Sequence, residues 1–149
     1  MQDAQLSVTT SFPAANANVN TPAFDLGVIP PGTNENPQNS WRLGRFRINY
    51  PALATHISTS NNITFTLQDA LVTATQVGTG ATSTVGTYAN TNPLIQASLP
   101  GVPTTGSAAG FLDLPIPPRL RGPVSVQCAV PTGDGTFTAF TFTVSWTLE

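Results

Sequence analysis

The run NNITFTLQDALVT, residues 61–73, alternates cleanly where it begins: Ile63, Phe65 and Leu67 fall on one side of an extended chain, Thr64, Thr66 and Gln68 on the other. That period of two predicts a β-strand with one face in a core. The chain closes on the same pattern. In FTFTVSWTLE, Phe140, Phe142, Val144, Trp146 and Leu148 share one side, and Thr141, Thr143, Ser145 and Thr147 the other. Phe137 is out of phase with that set, which predicts a bulge or kink near Ala139. Upstream, PVSVQCAV places Val124, Val126, Cys128 and Val130 on one face. The linking PTGDGT contains Asp134-Gly135, a strong hairpin signal, so the two runs are expected to pair as a long antiparallel hairpin. RFRINY sets Phe46, Ile48 and Tyr50 against Arg45, Arg47 and Asn49. LVTATQV and TSTVGTY predict a weaker hairpin around Gly78-Thr79-Gly80, while QLSVTT, PLIQASL and GFLDLPI add short strands.

No segment has a helical period; Val, Ile, Thr and Phe dominate, punctuated by Pro and Gly. About eight or nine short strands at turn spacing predict an all-β, antiparallel two-sheet sandwich, most economically a jelly roll. A single domain over 1–149 is expected, since no repeat or composition break divides the chain. Three stretches resist assignment to strands: 28–40, 98–110 and 115–123, rich in Pro, Asn, Gly and Ser, read as long loops. Residues 1–24 read as an extended N-terminal arm.

Charge changes what the polar faces mean. Only 8% of the residues are charged, against about 25% in ordinary domains. There is no lysine, and the net charge is −2, too weak a field for a nucleic-acid or membrane-surface binder. Neutral, Thr-rich strand faces on so uncharged a chain point toward contact with other subunits, because charge depletion marks the cores of interfaces. Closed symmetric oligomers also hide edge strands. The five cations are all arginines: Arg42, Arg45, Arg47, Arg119 and Arg121. A planar guanidinium suits bidentate contacts with a partner, and these five are the candidate interface anchors.

Candidate chemistry adds little. His56 is the lone histidine, in ATHIST, with no nucleophile elbow around it, and reads as a turn-flanking residue without a catalytic role. Cys128, the lone cysteine, reads as a buried apolar side chain, so no intramolecular disulfide can form. Asp69 and Asp113 sit at expected strand ends and could meet as a glycosidase pair, but strand-end aspartates more often bond local backbone N–H groups. No metal-ligand spacing and no phosphate-cradling loop is present, so neither catalysis nor a cofactor is expected. The opening MQDAQLSVTT has neither the basic segment nor the apolar run of a signal peptide. No apolar stretch reaches the ~18 residues of a membrane span. Synthesis in a cytoplasm is the expectation.

Four segments, in order, carry a resemblance: DLG (Asp25 to Gly27), ITFTLQDA (Ile63 to Ala70), the arginine-containing PRLRGPVSV, and the closing FTFTVSWTLE. With them the chain is similar to the small jelly-roll decoration, or cement, proteins of tailed-bacteriophage capsids. The resemblance implies a homotrimer on the outside of an icosahedral head, at three-fold or quasi-three-fold positions. There it would clamp neighbouring major capsid subunits, without cofactor, membrane or direct nucleic-acid contact. On that reading residues 1–24 and 28–40 are contact segments and the five arginines are anchors. Two alternatives stand beside it. One is another virion sandwich, either a coat protein or a receptor- or carbohydrate-binding fibre or adhesin module, for which Trp41 and Tyr88 are the loop aromatics. The other is a small hydrolase built on Asp69, Asp113 or His56.

Overall fold

A computed structural model describes residues 7–23, 44–73, 87–116, 124–132 and 135–148. They form eight strands and, among the described residues, no helix. The strands are β1 (Ser7–Ser11), β2 (Ala17–Asn20), β3 (Gly44–Tyr50), β4 (Ile63–Thr73), β5 (Thr87–Leu99), β6 (Gly110–Pro115), β7 (Val124–Val130) and β8 (Thr141–Leu148). All pairing is antiparallel, in two four-stranded sheets: β1-β8-β3-β6, called sheet A below, and β2-β7-β4-β5, called sheet B.

The pairs nest. β1 pairs with β8, β2 with β7, β3 with β6 and β4 with β5, so each pair of strand numbers sums to nine. This is the connectivity of one long hairpin folded over on itself, which is how an eight-stranded jelly roll is built. The β3–β8 and β4–β7 pairings complete the sheets. The all-β, two-sheet expectation therefore holds.

Alternation decides which side of each strand is inside. Phe46 and Ile48 of β3, Leu114 of β6, and Phe142 and Val144 of β8 line the inner face of sheet A. Ile63, Phe65 and Leu67 of β4, with Val124, Val126, Cys128 and Val130 of β7, line that of sheet B; none is more than 2% exposed. Each such side chain contributes about 1.5–3 kcal/mol by burial. Phe65 and Phe142 meet edge to face across the sandwich with ring centroids 5.3 Å apart, and Phe12 joins them at 6.2 and 5.1 Å.

Four connections, 12–16, 51–62, 100–109 and 131–140, cross between the sheets at one end and tie to one another there. Phe12 N–H donates to Phe140 O, and Leu53 and Ser107 form a β-bridge. His56 is their hub and is fully buried. Its N–H donates to Leu53 O, its carbonyl accepts from Val102 N–H, and its ring stands edge-on to Phe137 at 5.8 Å. Nε2 lies 2.9 Å from Leu99 O; a carbonyl only accepts, so the proton is on Nε2. Two glycines permit the close approach. A Cβ on Gly101 would stand 2.5 Å from Ser58 O, and one on Gly106, at φ 72°, would stand 2.4 Å from Leu53 O.

Several expectations need correction. β7 and β8 do not pair: they lie in different sheets, and 131–140 is a crossover. Phe137, the residue out of phase, is 0% exposed within that crossover, and Phe140 N–H donates back to Phe137 O in a turn. β8 begins at Thr141, which leaves Phe140 outside the buried set at 39% exposure. ITFTLQ and the first three residues of LVTATQV belong to one strand, β4, broken by register shifts at Leu67/Gln68 and Asp69/Ala70 against β5, and the rest of LVTATQV lies outside the described residues. The expected arm is partly drawn into the body. Residues 7–11 and 17–20 are edge strands of the two sheets, because Val8 and Thr10 pair with Val144 and Phe142, and Val19 with Cys128. The turn at 78–80 and the loop 28–40 lie outside the described residues.

Candidate docking surface

With the apolar sides turned inward, the sequence leaves its chemistry on the two outer faces. On sheet A the register lines up three rows: Thr9, Thr143, Asn49 and Phe111; Ser7, Ser145, Arg47 and Asp113; and Thr147, Arg45 and Pro115. The β1–β8 half of this face is hydroxyls, with Thr9 and Thr143 bonded through their Oγ1 atoms at 2.9 Å. The β3–β6 half is charged and aromatic.

Arg47 and Asp113 are directly opposed across β3 and β6. Arg47 Nε donates to Asp113 Oδ1 at 2.9 Å and Nη2 to Oδ2 at 3.0 Å, a two-pronged pairing. The Arg47 guanidinium also lies over the Phe111 ring, 4.0 Å from its centroid, within cation–π range. Arg45 Nε stands 3.4 Å from Asp113 Oδ2. The hydrogen bonds from Arg47, outweighing desolvation, hold the Asp113 carboxyl below its usual range, and both arginine charges add to that. The same pairing raises the Arg47 pKa. Two guanidiniums thus share one carboxylate, beside a phenylalanine left 54% exposed.

The outer face of sheet B is made differently. Asn18, Ala129, Thr64 and Ser98 form one row, and Asn20, Gln127, Thr66 and Gln96 the next. Gln96 Nε2 donates to Thr66 Oγ1 at 3.1 Å. Thr66, Gln68 and Ser125 point outward yet are only 8%, 7% and 1% exposed. Near the register shift an open groove of about 230 Å³ is lined by Thr66, Pro93, Leu94, Ile95 and Gln96.

Of the sequence-predicted anchors, Arg45 and Arg47 come together here, Arg47 with both prongs on Asp113. Arg42, Arg119 and Arg121 lie outside the described residues. Asp113 faces out from β6 in sheet A, whereas Asp69 lies on β4 in sheet B opposite Val124 and Asn92. The two acids thus belong to different sheets. Tyr88 falls in strand β5 rather than a loop, and Trp41 lies outside the described residues. Cys128 is buried, and desolvation pushes its thiol up to about 12, so the reactive thiolate is suppressed. Among the described residues no three His, Cys, Asp or Glu side chains gather as metal ligands.

Sequence reasoning missed Phe111 and the role of Asp113. The signal was present in GFLDLPI: Phe111 shares parity with Asp113, and both are out of phase with Leu112 and Leu114. At the loop end Ile57 and Val102 are also exposed, 49% and 44%, on segments joined by the Val102 N–H bond to His56 O. Searches with this chain against protein-family models, curated proteins and solved structures find no match.

Proposed function

We propose that this chain is a structural virion protein that binds the outside of a phage capsid and cements neighbouring major capsid subunits, acting without catalysis as a homotrimer. The observation that carries this reading is the pairing of a jelly roll, eight-stranded among the described residues, with outer faces whose described charge is confined to one corner of sheet A. Jelly rolls of this size recur in viral capsid and carbohydrate-binding domains. A face of Thr, Ser, Asn and Gln carries no charge that a flat protein contact would have to desolvate. The resemblance of ITFTLQDA and FTFTVSWTLE, which run through β4 and β8, to decoration proteins supports this reading and implies the three-fold position on the head.

Among the described residues, three groups that an active site could draw on are engaged elsewhere: His56 in the loop junction, Cys128 in the core and Asp113 on Arg47. Light scattering of the purified protein over a wide dilution range tests the reading. A trimer mass that survives dilution supports it, and a monomer at every concentration counts against it. A glycan array separates the carbohydrate-binding alternative, since a cement protein leaves it blank.

A further inference from the structure

We infer that the free edge of β1 pairs with β1 of a second copy of this chain, antiparallel and centred on Thr9, so that sheet A runs on from one copy into the next. The ladder with β8 fixes where the main-chain groups of β1 point. Phe12 N–H donates to Phe140 O at 3.0 Å, and these two residues continue the register in which Ser11 pairs with Thr141. In an antiparallel ladder, hydrogen-bonded pairs alternate with non-hydrogen-bonded ones. Thr10 and Val8 therefore bond to Phe142 and Val144, and the N–H and C=O groups of Ser7, Thr9 and Ser11 point away from β8. The hydroxyl contact between Thr9 and Thr143, at 2.9 Å, agrees, because side chains come closest at non-hydrogen-bonded pairs. β1 ends sheet A, and among the described residues no strand pairs with that edge.

The chemistry of this row says what covers it. N–H and C=O groups repeating at strand spacing are matched by another extended main chain. The other three edges are guarded: β6 carries Asp113 and Pro115, β5 carries Pro93 beside its register shift, and β2 has only four residues. β1, SVTTS, has no proline, no charge and no register shift. Such a strand is its own complement. Turned about a two-fold axis at Thr9, it sets Thr9 of one copy against Thr9 of the other and each Ser7 against the other copy's Ser11, with no like charges opposed. Each facing pair exchanges both of its main-chain hydrogen bonds. A two-fold contact cannot close a trimer, so beside the proposed trimer it joins one assembly to the next. The seam is about 16 Å long at about 3.3 Å per residue, a small contact that is weak in dilute solution.

Covalent trapping tests it on the full chain. The side chains of Ser7, Thr9 and Ser11 are exposed, and Cys128 is buried out of reach. Thr9→Cys, Ser7→Cys and Ser11→Cys are treated with a one-carbon thiol cross-linker, and the chain mass is read under denaturing conditions. Thr9→Cys should give chains of doubled mass, since facing Cα atoms in a hydrogen-bonded pair lie about 5.5 Å apart. Ser7→Cys alone and Ser11→Cys alone should give at least about tenfold less, each lying about 13 Å along the strand from its own counterpart. A mixture of those two should cross-link readily. Ser11→Pro removes an edge N–H and spares the ladder with β8; added to Thr9→Cys, it should lower the yield about tenfold, having removed one hydrogen bond at each end of the seam. No doubled mass from Thr9→Cys, equal yields from all three single variants, or a yield indifferent to Ser11→Pro would each overturn the contact. The cysteine pattern decides even where the proline costs stability. Light scattering reads the trimer separately. A native trimer that does not cross-link keeps the cement role and removes this contact, and a cross-linked pair from an otherwise monomeric protein does the reverse.

Discussion

On their inner faces the two sheets present the same chemistry. Phe46, Ile48, Phe142 and Val144 on one, and Ile63, Phe65, Leu67 and Val126 on the other, are all 1% exposed or less. On their outer faces they part. Sheet A carries an ion-paired, aromatic corner beside a field of hydroxyls, whereas the described outer face of sheet B carries amides, hydroxyls and a few small or apolar side chains and no charge. Burial dictates the inner faces and would dictate them in any sandwich of this size. What distinguishes this protein lies on the outer faces, where folding asks only for β-propensity.

The largest effects should come from the shared interior. Phe65→Ala and Phe142→Ala should each destabilise by about 3–5 kcal/mol, read from urea unfolding. A double-mutant cycle should show coupling of about 0.5–1.5 kcal/mol for their edge-to-face contact. A small cost for one and a large cost for the other would break the symmetry claimed for the two inner faces.

The outer faces should differ in kind. Asp113→Asn should cost about 1 kcal/mol, discounted for a side chain 26% exposed. It should also alter the acid limb of the stability curve. In the folded chain the Asp113 pKa lies below the ordinary 3.8, so between the two values the unfolded chain holds more protons and stability rises with pH. The Asp113 contribution is complete above the unfolded value and is lost as pH falls through the folded one. The variant should therefore lose less stability than the native chain between about pH 5 and pH 2. Added salt should shrink the Asp113 effect as well.

On sheet B, Gln96→Ala removes the hydrogen bond to Thr66 and should cost about 0.5–1 kcal/mol, with no dependence on pH or salt. A clear salt dependence for Gln96→Ala would show that the outer faces are not as distinct as their residues indicate.

Alternation made the strands and their buried sides legible, and it placed Cys128 in the core correctly. It could not say which sheet a strand joins. β7 and β8 alternate equally well, and the Asp134-Gly135 signal is local, so a crossover between sheets read as a hairpin. Phe137 held the clue, since a buried aromatic out of phase belongs to a chain leaving its sheet. The burial of His56 was not legible at all. It depends on the convergence of 51–62, 100–109 and 131–140, which are distant in sequence and carry no periodicity. Of the candidate docking surface, the arginines of β3 were visible, but their opposition to Asp113 and Phe111 is a matter of register between strands 66 residues apart at the Arg47–Asp113 bond. A Phe between apolar neighbours also reads as core until its parity with Asp113 is weighed.

The proposed cement role is open to one decisive test, sedimentation of the purified protein with preformed, undecorated shells of a phage major capsid protein encoded in the same genome. Saturable binding to the outside of those shells, raised resistance of the shells to heat, and no closed particles from this protein alone are the expected results. Failure to bind intact shells, or self-closure into particles without them, would contradict it.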